Sequence, residues 1–142
     1  MTAGPWVMPT GTLSMLLDGA YHLNTGQLMV ALLGSSSNIG SASTNWSGVT
    51  GELATNYGYS YGGKDLHLTL NGSTTVTVSG ATDTVWQVVD GNIDAKWAVI
   101  YEVGGLVLCY CLLDSTGAVL AVPNGNNLTV KTATAILTFT TK

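Results

Sequence analysis

The stretch KDLHLTLNGSTTVTVSG, residues 64–80, carries the most regular pattern in this sequence. Apolar and polar side chains alternate in two runs, so each run predicts a β-strand with one buried face. Between the runs, Asn71 and Gly72 accept positive φ at low cost, as a two-residue hairpin turn requires. Residues 64–79 are therefore predicted to form a β-hairpin. Its apolar face consists of Leu66, Leu68 and Leu70 on the first strand and Val76 and Val78 on the second.

Similar runs continue to the end of the chain, separated by short segments rich in Gly, Asn, Asp and Pro. The runs at 97–101 and 106–113 are apolar at successive positions, which predicts central strands covered on both faces. The last run alternates, with Leu137 and Phe139 inward and Thr138 outward, so it is predicted to be half exposed or to face a partner. Many short strands with tight turns predict an all-β fold, either an antiparallel β-sandwich or a jelly-roll-like barrel. The other predicted strands begin at Gly26, Thr84, Lys96, Leu106, Ala118, Leu128 and Thr134.

One short helix is predicted near the N-terminus, within the segment TGTLSMLLDGAYHL. Its leucines follow Thr10 and Thr12, either of which is a candidate N-cap, and Gly19 is a candidate stop. The chain of 142 residues has the length of one domain. Residues 1–142 are therefore predicted to form a single β-rich domain with an extended N-terminal segment at 1–10.

Charged residues make up 8% of the chain, against about 25% in an average soluble protein. The surface is therefore predicted to be neutral and covered with hydroxyl groups, which keeps monomers apart poorly and predicts a homo-oligomer. The net charge is −4 and arginine is absent, so no nucleic-acid partner is predicted. The longest apolar stretch is too short for a membrane-spanning helix and no signal peptide is apparent. No membrane partner is predicted, and synthesis is predicted in the cytoplasm.

Titratable residues are too few to predict an active site. The chain has two histidines, six aspartates and two glutamates, without a G-x-S-x-G or H-E-x-x-H motif. His22 and His67 are predicted to lie at the surface, whereas Cys109 and Cys111, two apart on one strand, are predicted to be buried free thiols. No catalytic residue, cofactor site or metal site is predicted, and the protein is not expected to be an enzyme. The aspartates expected to bond nearby backbone amides are Asp18, Asp83, Asp90 and Asp114.

Three tyrosines stand among glycines in GELATNYGYSYGGKDL, residues 51–66. The segment is not a phosphate-binding loop, because its lysine leads into a strand and the required spacing is missing. If the segment is extended, Tyr57, Tyr59 and Tyr61 share one face. That face is either a stacking platform for sugars or a set of edge aromatics that contact a neighbouring subunit. The second role is the predicted one.

Residues 12 to about 103 resemble small virion structural proteins of tailed bacteriophages. The resemblance lies in a short apolar, leucine-rich helix ending in LLDGAYHLNTGQLMVALLGSS, in the Ser/Thr loop after it, in VTGELATNYGYSYGGKDL and in TVWQVVDGNIDAKWAVIYE. It covers about two thirds of the chain, and the sequence departs from the family pattern from residue 104 onward. The matching positions are Glu52, Gly58, Tyr59, Gly62, Gly63, Trp86, Ala98, Val99 and Tyr101.

The resemblance implies a component of the virus particle. It implies most specifically a capsid decoration or cement protein, located on the capsid surface of the virion, which stabilises the phage head by bridging subunits of the major capsid protein. The family positions are turn glycines and core aromatics, so they imply no reaction. Another head, neck or tail structural component, or a carbohydrate-binding module on the virion surface, remains an alternative.

Overall fold

The computed structural model describes residues 2–19, 23 and 27–141. All strand pairs in this part of the chain are antiparallel, which confirms the predicted all-β, sandwich-like fold with one short N-terminal helix. In chain order the elements are α1 Thr12–Leu17, β1 Leu28–Leu33, a 3₁₀ helix Trp46–Gly48, β2 Lys64–Leu66, β3 Leu68–Asn71, β4 Thr75–Gly80, β5 Thr84–Gln87, β6 Asn92–Ala95, β7 Trp97–Glu102, β8 Val107–Leu112, β9 Leu120–Pro123, β10 Asn127–Val130 and β11 Leu137–Thr140.

A four-stranded sheet in the order β2-β1-β7-β8 lies at the centre of the molecule. Its middle strands are buried on both faces, because Val30 and Leu32 of β1 pack in the main core while Ala31 and Leu33 pack in a second cluster with Ile39. Strands β7 and β8 are buried in the same way. The predicted burial of the two apolar runs is therefore confirmed.

The N-terminal segment covers the outer edge of β8. Val7 and Tyr110 exchange backbone hydrogen bonds of 2.8 and 2.9 Å, and the Gly4 N–H donates to the Leu112 carbonyl at 2.9 Å. The segment therefore runs extended along the sheet. Strand β8 has backbone neighbours on both sides although it is the last strand named in its sheet.

The remaining strands form a second layer. They comprise a three-stranded sheet in the order β11-β4-β3 and two strand pairs, β10-β5 and β6-β9. Val78, Trp86, Ile93 and Leu128 contribute side chains from these strands to the main core, which also contains the inner face of the four-stranded sheet. The two layers therefore bury one common apolar core, as in a sandwich.

The predicted hairpin is present as β3 and β4, but its turn differs from the prediction. Asn71 is still paired with Thr77, so the connection consists of residues 72–74. The predicted two-residue turn is therefore wrong. Gly72 has a φ of +105°, and a Cβ there would lie 1.9 Å from the Thr75 carbonyl oxygen. The wider turn thus depends on a position that only glycine occupies without strain.

The first predicted strand of the hairpin is divided at His67. Leu66 belongs to β2, which pairs with β1, whereas Leu68 belongs to β3, which pairs with β4. The chain therefore crosses from one layer to the other, and both leucines enter the main core. Leu70 is 48% exposed, so its predicted place on the buried face is wrong.

Helix α1 begins after Gly11, which has a φ of +91°, and no side chain caps its first turn. The prediction of Thr10 or Thr12 as the N-cap is wrong, because the buried Thr12 hydroxyl donates to the Val107 carbonyl at 3.2 Å. That bond connects the helix to β8. Gly19 has a φ of +80° just after the helix, which confirms it as the stop. In the described part of the chain, no helix is long and apolar enough to cross a membrane.

Candidate functional site

Titratable side chains are dispersed over the described residues. His67 is exposed at the crossing between β2 and β3, which confirms its predicted surface position, whereas His22 lies outside the described residues. Within residues 2–19, 23 and 27–141, no three His, Cys, Asp or Glu side chains lie close enough to hold a metal ion. The absence of enzymatic activity stays a prediction.

Asp114 makes the local hydrogen bonds that were predicted from its position in a turn. Its carboxylate accepts from the Thr116 backbone N–H at 2.9 Å and from the Thr116 hydroxyl at 2.8 Å. The first of these bonds is the main reason that the pKa of Asp114 is lowered. The carboxylates of Asp18 and Asp90 accept no hydrogen bond from the described residues, so local bonding is confirmed for Asp114 alone.

Asp83 bonds residues distant in sequence, so its predicted local bonding is wrong. Its carboxylate accepts from the Ala133 N–H at 3.0 Å and forms an ion pair with Lys131 at 3.2 Å. The backbone bond from Ala133 is the largest cause of the lowered pKa of Asp83. Pairing of β5 with β10 places these segments side by side, which sequence spacing does not reveal.

Cys109 and Cys111 are buried free thiols, as predicted. Both side chains lie in the main core. Burial raises the pKa of Cys109 well above its ordinary value and raises the pKa of Cys111 to about 12. Both sulfurs therefore stay protonated at neutral pH, which makes them poor nucleophiles and poor metal ligands.

Residues 52–63, which we call the tyrosine-glycine loop, are not extended. Tyr57 and Gly58 have φ values of +53° and +93°, and Asn56 and Tyr59 exchange backbone hydrogen bonds across them. The three tyrosines therefore point to different places, and the prediction that they share one face is wrong. Tyr59 is 2% exposed in the core and cannot be an edge aromatic, whereas Tyr57 is 40% and Tyr61 71% exposed.

A buried hydrogen-bond network holds this loop against the central sheet. The Tyr59 hydroxyl donates to Glu52 Oε1 at 2.7 Å and accepts from the Leu32 backbone N–H at 3.1 Å. Glu52 Oε1 also accepts from the Gly62 N–H at 2.5 Å, and the Tyr101 hydroxyl donates to the Gly62 carbonyl at 2.7 Å. Glu52, Tyr59, Gly62 and Tyr101 therefore meet at one point, where they connect the loop to β1 and β7.

Two glycines of the same loop allow close backbone approach. A Cβ at Gly58 would lie 2.0 Å from the Gln87 carbonyl oxygen, and one at Gly63 would lie 1.9 Å from the Val30 carbonyl oxygen. Both glycines have positive φ. The loop is therefore a structural corner between the two layers.

We expect the free energy of unfolding to fall as the pH rises above about 9. Burial raises the pKa of Cys111 from 9.0 and that of Tyr101 from 10.0, each to about 12, and burial also raises the pKa of Tyr59. When the pH lies between a group's pKa in the unfolded chain and its higher pKa in the folded chain, the group has lost its proton in the unfolded chain but keeps it in the folded chain. Unfolding then releases protons, so it becomes more favourable by at most about 1.4 kcal/mol per pH unit and group.

Urea unfolding followed by tryptophan fluorescence at pH 7, 9, 10 and 11 measures this dependence. Cys111→Ala and Tyr101→Phe should each reduce the slope, because each removes one of the titrating groups. An equal free energy of unfolding at pH 8 and pH 11 in the wild-type chain would contradict the expectation.

The outer face of the three-stranded sheet is a regular array of hydroxyl groups, which we call the threonine face. Cross-strand register places Thr75 opposite Thr140 and Thr77 opposite Thr138, and the hydroxyls of the first pair are 3.3 Å apart. Strand β11 has a strand neighbour on one side only, so its other edge is open within the described residues. The face consists of Thr69, Thr75, Thr77, Ser79, Thr138 and Thr140.

No protein-family model matches this chain, and no curated protein or solved structure is significantly similar to it.

Proposed function

We propose that this protein is a virion structural protein of a tailed bacteriophage, a capsid decoration protein. It binds the outside of the head and stabilises the head by bridging subunits of the major capsid protein. The observation that carries the proposal is the uncharged threonine face, which ends at the open edge of β11. The three-stranded sheet that carries this face is suited to binding protein surfaces. The resemblance of residues 12 to about 103 to phage virion proteins is the reason for proposing a phage particle.

The exposed surface is suited to contact with other subunits because it has few charges to desolvate. Hydroxyl groups hydrogen-bond a partner without the cost of burying an ion. Apolar side chains are also exposed, most of all Leu17 of α1 at 78% and Tyr61 at 71%. Aromatic and aliphatic anchors within a polar surface are the usual composition of protein interfaces.

Stabilisation of the head follows from mass action. A protein that binds the assembled lattice, but not separated capsid subunits, lowers the free energy of the lattice by about 2.7 kcal/mol per site at a hundred times its Kd. An oligomer that engages two or more capsomers gains further affinity, because its second contact forms at high effective concentration. Modest contacts therefore suffice when they are repeated over the shell.

The proposed oligomer forms through the open edge of β11. The Thr141 N–H donates to the Thr74 carbonyl of the segment before β4, at 2.8 Å. Because N–H groups alternate in direction along a strand, those of Thr138 and Thr140 face the open edge. A second copy of the chain, paired edge to edge, supplies acceptors for these groups.

Thr138→Pro is expected to convert the oligomer to a monomer, since proline removes one edge N–H and is tolerated on an edge strand. Thr138→Val keeps that N–H and removes only the hydroxyl, so it should leave the oligomer intact. Light scattering coupled to size exclusion, at equal protein concentrations, measures the mass. A wild-type chain that is monomeric, or an oligomer that survives Thr138→Pro, would rule out the β11 edge as the contact.

The capsid role is tested with shells assembled without this protein. We expect the purified wild-type protein to bind them and to raise the temperature at which they break open. Electron microscopy of labelled protein on whole particles then shows where it binds. Density on the neck or tail would replace decoration by another structural role, and absence of binding to any part of the particle would refute the proposal.

A further inference from the structure

We propose that a groove beside Tyr57 binds a single neutral hexose or N-acetylhexosamine ring, as the end of a larger glycan. This groove lies between the tyrosine-glycine loop and β6, and none of its lining residues belongs to the threonine face. It has a volume of about 260 Å³ and is lined by Tyr57, Asn56, Asn92 and Asp94 among others. Pockets that enclose drug-sized ligands measure about 300–1,000 Å³, so this space suits one ring bound at its surface.

Backbone strain is concentrated at this groove. Tyr57 and Asp90 have φ values of +53° and +60°, and they are the two non-glycine residues with positive φ in the described chain. Their segments lie side by side, since the N–H of Val89, the residue before Asp90, donates to the Tyr57 carbonyl at 3.2 Å. A bulky side chain in this conformation costs free energy, and such strain is found most often at ligand sites.

The Tyr57 ring is held in one position by packing against the backbone. A Cβ at Gly91 would lie 2.3 Å from Tyr57 Cε1 and 2.4 Å from Cδ1, so the ring lies directly on the Gly91 backbone. Tyr57 is nevertheless 40% exposed. The strained backbone and the missing side chain at Gly91 together present one aromatic surface to solvent in a defined position. An apolar sugar face stacks on such a surface with little loss of conformational entropy.

Planar polar groups lie beside the ring. Asn92 and Asp94 alternate with buried residues on β6, so both side chains lie on its exposed face. The side-chain Oδ1 of Asn56 accepts from the Tyr57 backbone N–H at 3.0 Å, and the side-chain Nδ2 of Asn56 donates to none of the described residues. Carboxylate and amide groups accept from and donate to vicinal sugar hydroxyls, and they fix the orientation of a ring that is stacked on an aromatic surface.

The negative charge near the groove favours neutral sugars over acidic ones. Asp94 lines the groove, Asp90 directly precedes Gly91, on which the Tyr57 ring lies, and the described residues that line the groove include no lysine. The chain has a net charge of −4. Uronic and sialic acids are repelled by these carboxylates, whereas neutral hydroxyls donate to them. The ligand class is therefore neutral, and the selectivity against acidic sugars is part of the proposal.

The experiment uses an array of glucose, mannose, galactose and N-acetylglucosamine oligomers together with their uronic-acid counterparts. The neutral oligomer with the strongest signal is then titrated against the full chain by calorimetry. Tyr57→Gly removes the ring and relieves the strained φ, so it should fold at least as well as wild type while affinity falls by about tenfold or more. Gly91→Ala should lower affinity similarly, since it displaces the ring without removing it.

Two matched variants serve as controls. Tyr61→Ala removes a more exposed tyrosine of the same loop, and Gly48→Ala adds a methyl group where nothing lies within 4 Å. Both should bind like wild type. No signal for neutral glycans, a preference for uronic acids, or full affinity in Tyr57→Gly would overturn the proposal. Shell binding by Tyr57→Gly should remain normal, so failure here is distinguishable from failure of the capsid role.

Discussion

Gly63→Ala is expected to destabilise the protein by about 3–5 kcal/mol, which is a large share of the roughly 5–15 kcal/mol that stabilises an ordinary domain. The added methyl group would lie 1.9 Å from the Val30 carbonyl oxygen and 2.9 Å from the Ala31 Cα. Both atoms belong to the backbone of β1, a strand with five of its six residues buried, so neither yields without separating β2 from β1. The φ of +83° at Gly63 adds the cost of a left-handed conformation.

The adjacent glycine provides the control. Gly62 has a φ of +97°, but the nearest atom to an added Cβ is the Tyr101 hydroxyl oxygen at 3.8 Å. Gly62→Ala should therefore lower the free energy of unfolding only by the cost of the left-handed backbone conformation, about 1–2 kcal/mol. Urea unfolding or circular dichroism of soluble protein compares the two variants. Equal free energies of unfolding for Gly62→Ala and Gly63→Ala would show that the close approach to β1 is not the cause.

Trp86→Ala is the second substitution with a large expected effect, about 3–5 kcal/mol. Trp86 is 1% exposed, and its ring lies 5.8 Å from the Tyr59 ring, beneath the tyrosine-glycine loop. Its removal leaves a large cavity where the two layers and the corner meet. We expect loss of cooperative unfolding, or a thermal midpoint lowered by at least about 10 °C, measured by calorimetry.

Trp86→Phe distinguishes the contribution of the aromatic ring to stability from that of the indole nitrogen. The Nε1 atom is buried and makes no hydrogen bond to the described residues. Phenylalanine removes this unsatisfied donor as well as some volume, so the two effects partly offset each other and the cost should stay below about 1.5 kcal/mol. A loss as large as that of Trp86→Ala would indicate that the Nε1 group has an essential partner.

The tyrosine-glycine loop holds one tyrosine in the core and another in the groove that we propose binds a sugar. Tyr59 points inward and closes the core through Glu52, whereas Tyr57 lies outward on Gly91. Substitutions at Tyr59 should therefore change stability, and substitutions at Tyr57 should change binding. Only the tertiary structure separates the two tyrosines, because they are alike in type and only two residues apart.

Local patterns predicted well where neighbouring residues determine the outcome. Alternation along β4 and β11 predicts which side chains face the core, since side chains of a strand point alternately to opposite faces. The continuous apolar runs of β7 and β8 predict burial on both faces for the same reason. By contrast, β6 was not predicted, because its four residues follow Asp90 and Gly91 and resemble a turn.

The sequence by itself determined the all-β class, the buried strands, the stop of α1 and the free buried thiols, since each depends on residue type and short-range spacing. The division of the first hairpin strand at His67, the bond between Thr12 and β8 and the groove at Tyr57 depended on the tertiary structure. Each of these joins segments far apart in the chain or follows from a backbone φ set by distant contacts. Spacing along a sequence carries no record of such contacts.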